Sequence, residues 1–232
     1  MNENEVYQSQ YAYATVSERS QFIRKTYLNL AFAFLAFIAC EAFLLSWQPA
    51  VELAAKMVSG NNWLIVLLAF MGVSWLASSW ALNPYSLGKQ YAGLYLYVIA
   101  ESVIFLPILL LAEAIAPDAI PQAAILTAAL SGGISVYAFI SGKNFSYLGS
   151  FITMGFFVSL GIIVCALLFG LQLGLWFSGA MIIFAGIAVL YQTSAIIHQY
   201  DNSQYVAAAL GLFSAIALMF WYILQFLISS RR

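Results

Sequence analysis

The chain has 232 residues, 64% of them hydrophobic and only 7% charged, with a mean hydropathy of +0.92. That composition excludes an ordinary soluble domain. Eight Lys/Arg against nine Asp/Glu leave a net charge of −1 and no basic face for nucleic acid. Cys40 and Cys165 both lie in apolar runs, where a free thiol behaves as a small hydrophobe, and they show neither a disulfide framework nor metal-ligand spacing. The first twenty residues are polar, with Glu3, Glu5 and several Tyr, a pattern unlike a cleaved leader. Insertion by the first membrane span is therefore expected.

Residues 1–16 show no sustained period and read as a mobile tail. Thr15-Val16-Ser17-Glu18 has capping-box spacing and predicts a helix start there. A bilayer core needs about 20 apolar residues in a helix. Seven stretches meet that need: approximately Phe22–Trp47, Trp63–Leu82, Tyr91–Ala112, Ala123–Ser141, Tyr147–Phe169, Leu175–Ile197 and Val206–Ile228. The expected fold is an all-α membrane protein, with a cytosolic tail over 1–20 and one seven-helix transmembrane domain over 21–232. Turn chemistry marks the breaks, as in Ser59-Gly60-Asn61-Asn62, Asn83-Pro84-Tyr85-Ser86, Ala116-Pro117-Asp118 and Gly142-Lys143-Asn144. Gly170 to Gly174 reads as a tight hairpin, and Pro107 as a kink inside the third span.

Lys and Arg set the expected orientation. A cytosolic N-terminus collects Arg19, Arg24, Lys25, Lys89 and Lys143 inside, leaving Lys56 and Arg231-Arg232 outside. The bias favours N-in and C-out, although the terminal arginines oppose it. Small residues recur every four positions at Ala207, Gly211 and Ala215 in the last span and at Ser131 and Ser135 in the fourth. Such stripes let membrane helices approach closely. The six Trp and fourteen Tyr suit interfacial belts better than a cofactor box.

An ionisable side chain within a span costs roughly 2.5–3.5 kcal/mol on insertion scales, which makes it a candidate for function. Glu101 falls near the middle of the third span. It reads either as a proton-binding or cation-binding carboxyl facing a cavity, or as a neutral carboxyl bonded to a neighbouring helix. Glu41 lies nearer the outer end of the first span, within reach of the interface. Tyr191, Ser194, His198 and Asp201 fall at i, i+3, i+7 and i+10, one stripe if the helix continues. His198 beside Asp201 forms a pair able to titrate near neutral pH. No zinc cluster, nucleophile–base motif or phosphate loop accompanies these residues.

Three stretches carry a family resemblance. Phe22-Ile23-Arg24-Lys25-Thr26-Tyr27 looks like the start of the first span in the Bax inhibitor/YccA family. Ser141-Gly142-Lys143-Asn144-Phe145-Ser146-Tyr147-Leu148-Gly149 resembles that family's short basic loop, with Asn144 where an aspartate is usual. Tyr191-Gln192-Thr193-Ser194-Ala195-Ile196-Ile197-His198, followed by Ala208-Ala209-Leu210, resembles the end of the sixth span and the start of the seventh, in a form nearest the YccA-like bacterial subgroup. The resemblance implies six helices around a central one, no enzymatic activity and a multi-pass bacterial inner-membrane location.

The resemblance also implies two functional expectations. YccA-like relatives are substrates and modulators of the membrane protease FtsH, for which residues 1–16 offer a handle. Other relatives resemble pH-sensitive calcium leak channels gated by two carboxylates. Here Gln192 and Ala215 occupy those acidic positions, so that gate lacks titrating groups. The first expectation is thus a non-enzymatic modulator of membrane proteolysis. The second is a calcium, cation or proton leak using Glu101 and the His198–Asp201 pair, with no resident cofactor. An intramembrane enzyme, the third, lacks a catalytic set.

Overall fold

Apolar runs this long have to satisfy their backbone internally, and in the absence of strand patterning the helix is the way to do so. The computed structural model of the protein describes residues 3–60, 62–171 and 173–231, with side chains from residue 17 onward. The described residues form eight helices: α1 (Glu3–Ser46), α2 (Gln48–Met57), α3 (Asn62–Ala81), α4 (Leu87–Ile115), α5 (Ala119–Ser141), α6 (Leu148–Phe169), α7 (Leu175–His198) and α8 (Tyr205–Ser230). Seven of them, all but α2, contain a stretch long and apolar enough to cross a membrane. The protein is a multi-pass membrane protein.

Two elements differ from expectation. The first helix begins at Glu3, not at the Thr15 capping box. No Gly or Pro interrupts the chain between Glu3 and Ser46, so nothing local ends the helix before the first span. The side chains of the expected handle, residues 1–16, lie outside the described residues. The second difference is α2, a short helix between the first two spans. Pro49 starts it where a missing N–H costs nothing, and Lys56 sits in its last turn against the negative helix end. Ala50 and Ala54 bury against Leu106 of α4. Pro107 remains inside a continuous α4.

The most buried span is α8 and the least buried is α6. α8 packs against α1, α3, α4, α5 and α7, and α6 packs against α7. Small side chains permit this crowding: Ala207, Ala208, Ala209, Ala215 and Ala217 are all buried on α8. Phe213 wedges between its neighbours, with ring centroids 4.9 Å from Phe34 and 6.1 Å from Tyr97. Gly170, at φ +67°, closes α6 and turns the chain into the hairpin before α7.

The tightest approach joins α3 to α4 at Gly93. A Cβ there would run into the Ala77 carbonyl and lie 2.6 Å from the Ala81 nitrogen. These are backbone atoms, so no side chain can rotate away. Gly93→Val is expected to cost about 3 kcal/mol, the upper part of the overpacking range, read as a lower melting temperature in detergent. Gly72→Ala is the control, because a Cβ there meets nothing within 4 Å. Equal melting of the Gly93 variant and wild type would refute this close packing.

Candidate functional site

The Ser86 hydroxyl accepts from the Lys89 N–H at 3.3 Å and sets the start of α4. From there Gln90, Leu94, Tyr97, Glu101, Ile104 and Ile108 fall on the buried side at helical spacing. Glu101 is thus turned inward at the centre of its helix, only 6% exposed. It lines a cavity of about 410 Å³ between α3, α4, α6, α7 and α8, whose walls include Trp63, Ser74, Ser159, Trp221 and Tyr222. Tyr97, one turn away, is a side-chain neighbour of both Glu101 and Ser214. The Glu101 Oε2 has no hydrogen-bond partner among the described residues, and no Lys, Arg or His lines the cavity.

Glu41 does not reach the interface as the sequence reading expected. It is 6% exposed, and both carboxyl oxygens lack a partner among the described residues. The reason is tertiary: α1 packs along α4 and α8, and Glu41 is enclosed within that packing. Glu41 lies close enough to Glu101 for their charges to interact.

A second cavity of about 640 Å³ adjoins the first toward the Gly170–Gly174 hairpin. Trp63, Ile163, Trp221 and Tyr222 line both, and Gly174, Gln225 and Ser229 line the far part. Cavity space therefore extends from the Glu101 chamber toward the hairpin end of the bundle.

At the opposite end the three motif stretches meet. The Phe145 N–H donates to Ser194 Oγ at 2.8 Å, tying the α5–α6 loop to α7. Tyr191 packs on Gly149 of the same segment. Thr193 Oγ1 and Ser135 Oγ lie 3.2 Å apart, joining α7 to α5. The Arg19 guanidinium donates to the Ile196 carbonyl at 2.6 Å, the Tyr200 carbonyl at 2.7 Å and Asn202 Oδ1 at 3.1 Å. It thereby satisfies carbonyls left open where α7 ends. Arg19 also stands 4.5 Å over the Phe22 ring, and Lys25 stands 5.3 Å over Tyr205.

Several expected site residues take other roles here. α7 stops at His198, so Asp201 leaves the Tyr191–Ser194 stripe. His198 is exposed, its Nδ1 3.2 Å from the Ser194 carbonyl, and Asp201 acts electrostatically on Arg19. No His198–Asp201 hydrogen bond forms among the described residues. Gln192 packs against Gly211, one turn before Ala215, where a Cβ would fall 2.7 Å from its Oε1. The Tyr200 hydroxyl approaches the same Oε1 at 3.5 Å. Burial, with Tyr191 nearby, pushes the Tyr200 phenol up to about 12, so it remains a donor at neutral pH. Ala215 is buried in the core. Asn144 is exposed and accepts the Ser146 N–H at 3.0 Å, a turn-forming bond.

The sequence reading missed two things. Arg19 counted only as a topological charge, although its position in the first helix matters for capping α7. Ser74 and Ser159 carried no local signal at all. Among the described residues no group of three His, Cys, Asp or Glu is arranged to hold a metal ion.

The family of inhibitors of apoptosis-promoting Bax1 matches residues 19–232. An uncharacterized protein of Pseudomonas aeruginosa is 33% identical over 227 residues, covering 94% of each chain. A Golgi anti-apoptotic protein of vaccinia virus is 27% identical over 231 residues, covering 95% of this chain and 90% of the viral one. Protein lifeguard 4 of Mus musculus is 27% identical over 228 residues, with the same coverage of each. The match spans Arg19, the basic loop and both helices that build the motif end, and the chain belongs to the Bax inhibitor family.

Proposed function

We propose that this protein is a non-enzymatic cation or proton leak of a bacterial inner membrane, with Glu101 as its ion-binding carboxyl. The observation that carries this reading is Glu101 Oε2, buried without a partner in a cavity at the middle of a membrane span. Tyr97 is a hydrogen-bonding neighbour of this carboxyl, yet one buried oxygen still lacks a partner among the described residues, which is costly and points to a ligand. The adjoining second cavity supports a path toward the hairpin end, and the hydrogen-bonded motif end supports a closed gate opposite. Calcium fits Glu101 poorly, because it takes about 6–8 oxygen ligands and the chamber offers one carboxyl with a few hydroxyls. Lys and Arg cluster at the motif end, which supports placing that end in the cytosol with the C-terminus outside. The test is ion flux in proteoliposomes under imposed proton, potassium and calcium gradients. Proton flux above empty liposomes is expected, with the metal-ion gradients as comparisons; rates equal to empty liposomes under all three gradients would overturn the reading.

A second reading, modulation of a membrane protease of FtsH type, is favoured by the neutral pair Gln192 and Ala215. A membrane protein without the acidic gate serves better as a protease partner than as a gated channel. If residues 1–16 are the handle, their deletion lengthens the protein's lifetime in cells at least about twofold while the spans stay folded. Normal turnover of the truncated chain would remove this reading.

A further inference from the structure

The Glu101 chamber is far larger than a bare ion needs. Its volume of about 410 Å³ falls in the range of pockets for small organic molecules, roughly 300–1,000 Å³. Its walls combine one carboxyl, four hydroxyls (Ser74, Tyr97, Ser159, Tyr222) and many aromatic faces, among them Trp63, Phe156, Phe184 and Trp221. Each class of ligand can be weighed against those walls. An anion meets the carboxyl with no basic side chain to offset it. A purely apolar molecule leaves the buried Glu101 Oε2 unmet, and an orphaned buried acceptor is costly. A bare divalent cation finds too few oxygens. A positively charged nitrogen on an apolar body satisfies all three features: the carboxyl takes the charge, the aromatic faces attract the cation through their quadrupoles, and the walls cover the hydrocarbon.

We propose that the Glu101 chamber is a binding site for a small organic ammonium ion carrying an aromatic or alkyl body. This rests on the reading of Glu101 as a cation-binding carboxyl, but it does not require transport. A primary or secondary ammonium fits better than a quaternary one, because Oε2 is an acceptor awaiting an N–H donor. Access runs through the adjoining cavity, past Trp63 and Trp221, whose rings stack at 6.2 Å between the two chambers. Insertion of a ligand there perturbs both indoles.

The test is a titration of the purified full chain in detergent, followed by tryptophan emission. Phenethylammonium is the probe, with 2-phenylethanol as its neutral counterpart and calcium chloride as the bare-ion control. Saturable binding of phenethylammonium is expected, about tenfold or more tighter than of 2-phenylethanol, with no saturable calcium response. Glu101→Gln is expected to weaken the ammonium about tenfold or more and to leave the alcohol unchanged. Ser159→Leu fills the chamber without touching the carboxyl, since Ser159 Oγ bonds only the Phe156 carbonyl of its own helix. It should weaken both ligands, and it decides the question if Glu101→Gln does not fold. Equal affinity for ammonium and alcohol, or ammonium binding unaffected by Ser159→Leu, overturns the proposal. Binding without ion flux in liposomes would leave this site standing and remove the leak reading; flux without binding would do the reverse.

Discussion

Glu101→Gln is expected to lower cation flux through the reconstituted protein about a hundredfold, while melting close to wild type. The amide keeps the shape of the carboxyl and its capacity to hydrogen-bond, but loses the charge. A cation crossing the middle of the bundle then meets a chamber with no opposite charge. Placing an unpaired charge at mid-membrane costs roughly 2.5–3.5 kcal/mol on insertion scales. Each 1.36 kcal/mol is about tenfold in rate, which gives the size of the loss. Stability moves little or even rises, because a buried carboxyl with an unpartnered oxygen contributes little to the fold. Proteoliposome flux and thermal unfolding in detergent, measured on one preparation, separate the two effects. Unchanged flux would make Glu101 a structural carboxyl, and a collapse of folding with the flux would mean that it holds helices together. Glu41→Gln is the companion variant. It changes the field at Glu101 from outside the lining of the chamber, so its effect on flux should be smaller.

The second large effect is expected at the motif end. Arg19→Ala should cost about 2–4 kcal/mol of stability, because hydrogen bonds from a charged donor are worth roughly 1.5–3 kcal/mol each and this one is partly exposed to solvent. Two of them hold the carbonyls of Ile196 and Tyr200, which accept no other hydrogen bond among the described residues. Arg19→Lys should recover less than half, since a single ammonium cannot fork between two carbonyls as the planar guanidinium does. The diagnostic measurement is amide hydrogen exchange over residues 196–204. Protection should fall there in Arg19→Ala and stay unchanged in the Gly170–Gly174 hairpin at the far end of the bundle. Wild-type protection in the variant would show that the connection between α7 and α8 holds without its clasp.

The motif stretches have a common physical rationale in this arrangement. Phe22, Thr26, Ser194 and Phe145 are all buried, and the stretches that contain them close one end of the bundle against one another. What looked along the chain like a titrating stripe is in space a set of ties between helices: Ser194 to the basic loop, Thr193 to α5, Gln192 to α8. Their polar groups are spent on one another, whereas Glu101 keeps an acceptor free. That contrast is why the proposed ligand site is Glu101 and not the motif end.

Local sequence determined the number of spans, their approximate limits and the family, because these depend on runs of apolar residues, turn chemistry and short ordered motifs. It also singled out Glu101, since a charge inside an apolar run is visible without any fold. Which way that charge points was not legible. Apolar residues cover every side of α4, so no stripe marks its inward face, and only packing against α3 and α8 turned Glu101 toward a chamber. Glu41 differs from expectation for the same reason, its burial depending on how α1 packs against helices distant in sequence. Asp201 was joined to His198 by spacing alone, yet α7 ends before it and the nearby charge comes from Arg19, remote in sequence. Inward faces, and the end of α7 that Arg19 holds, involve contacts between distant segments, and no local period encodes those.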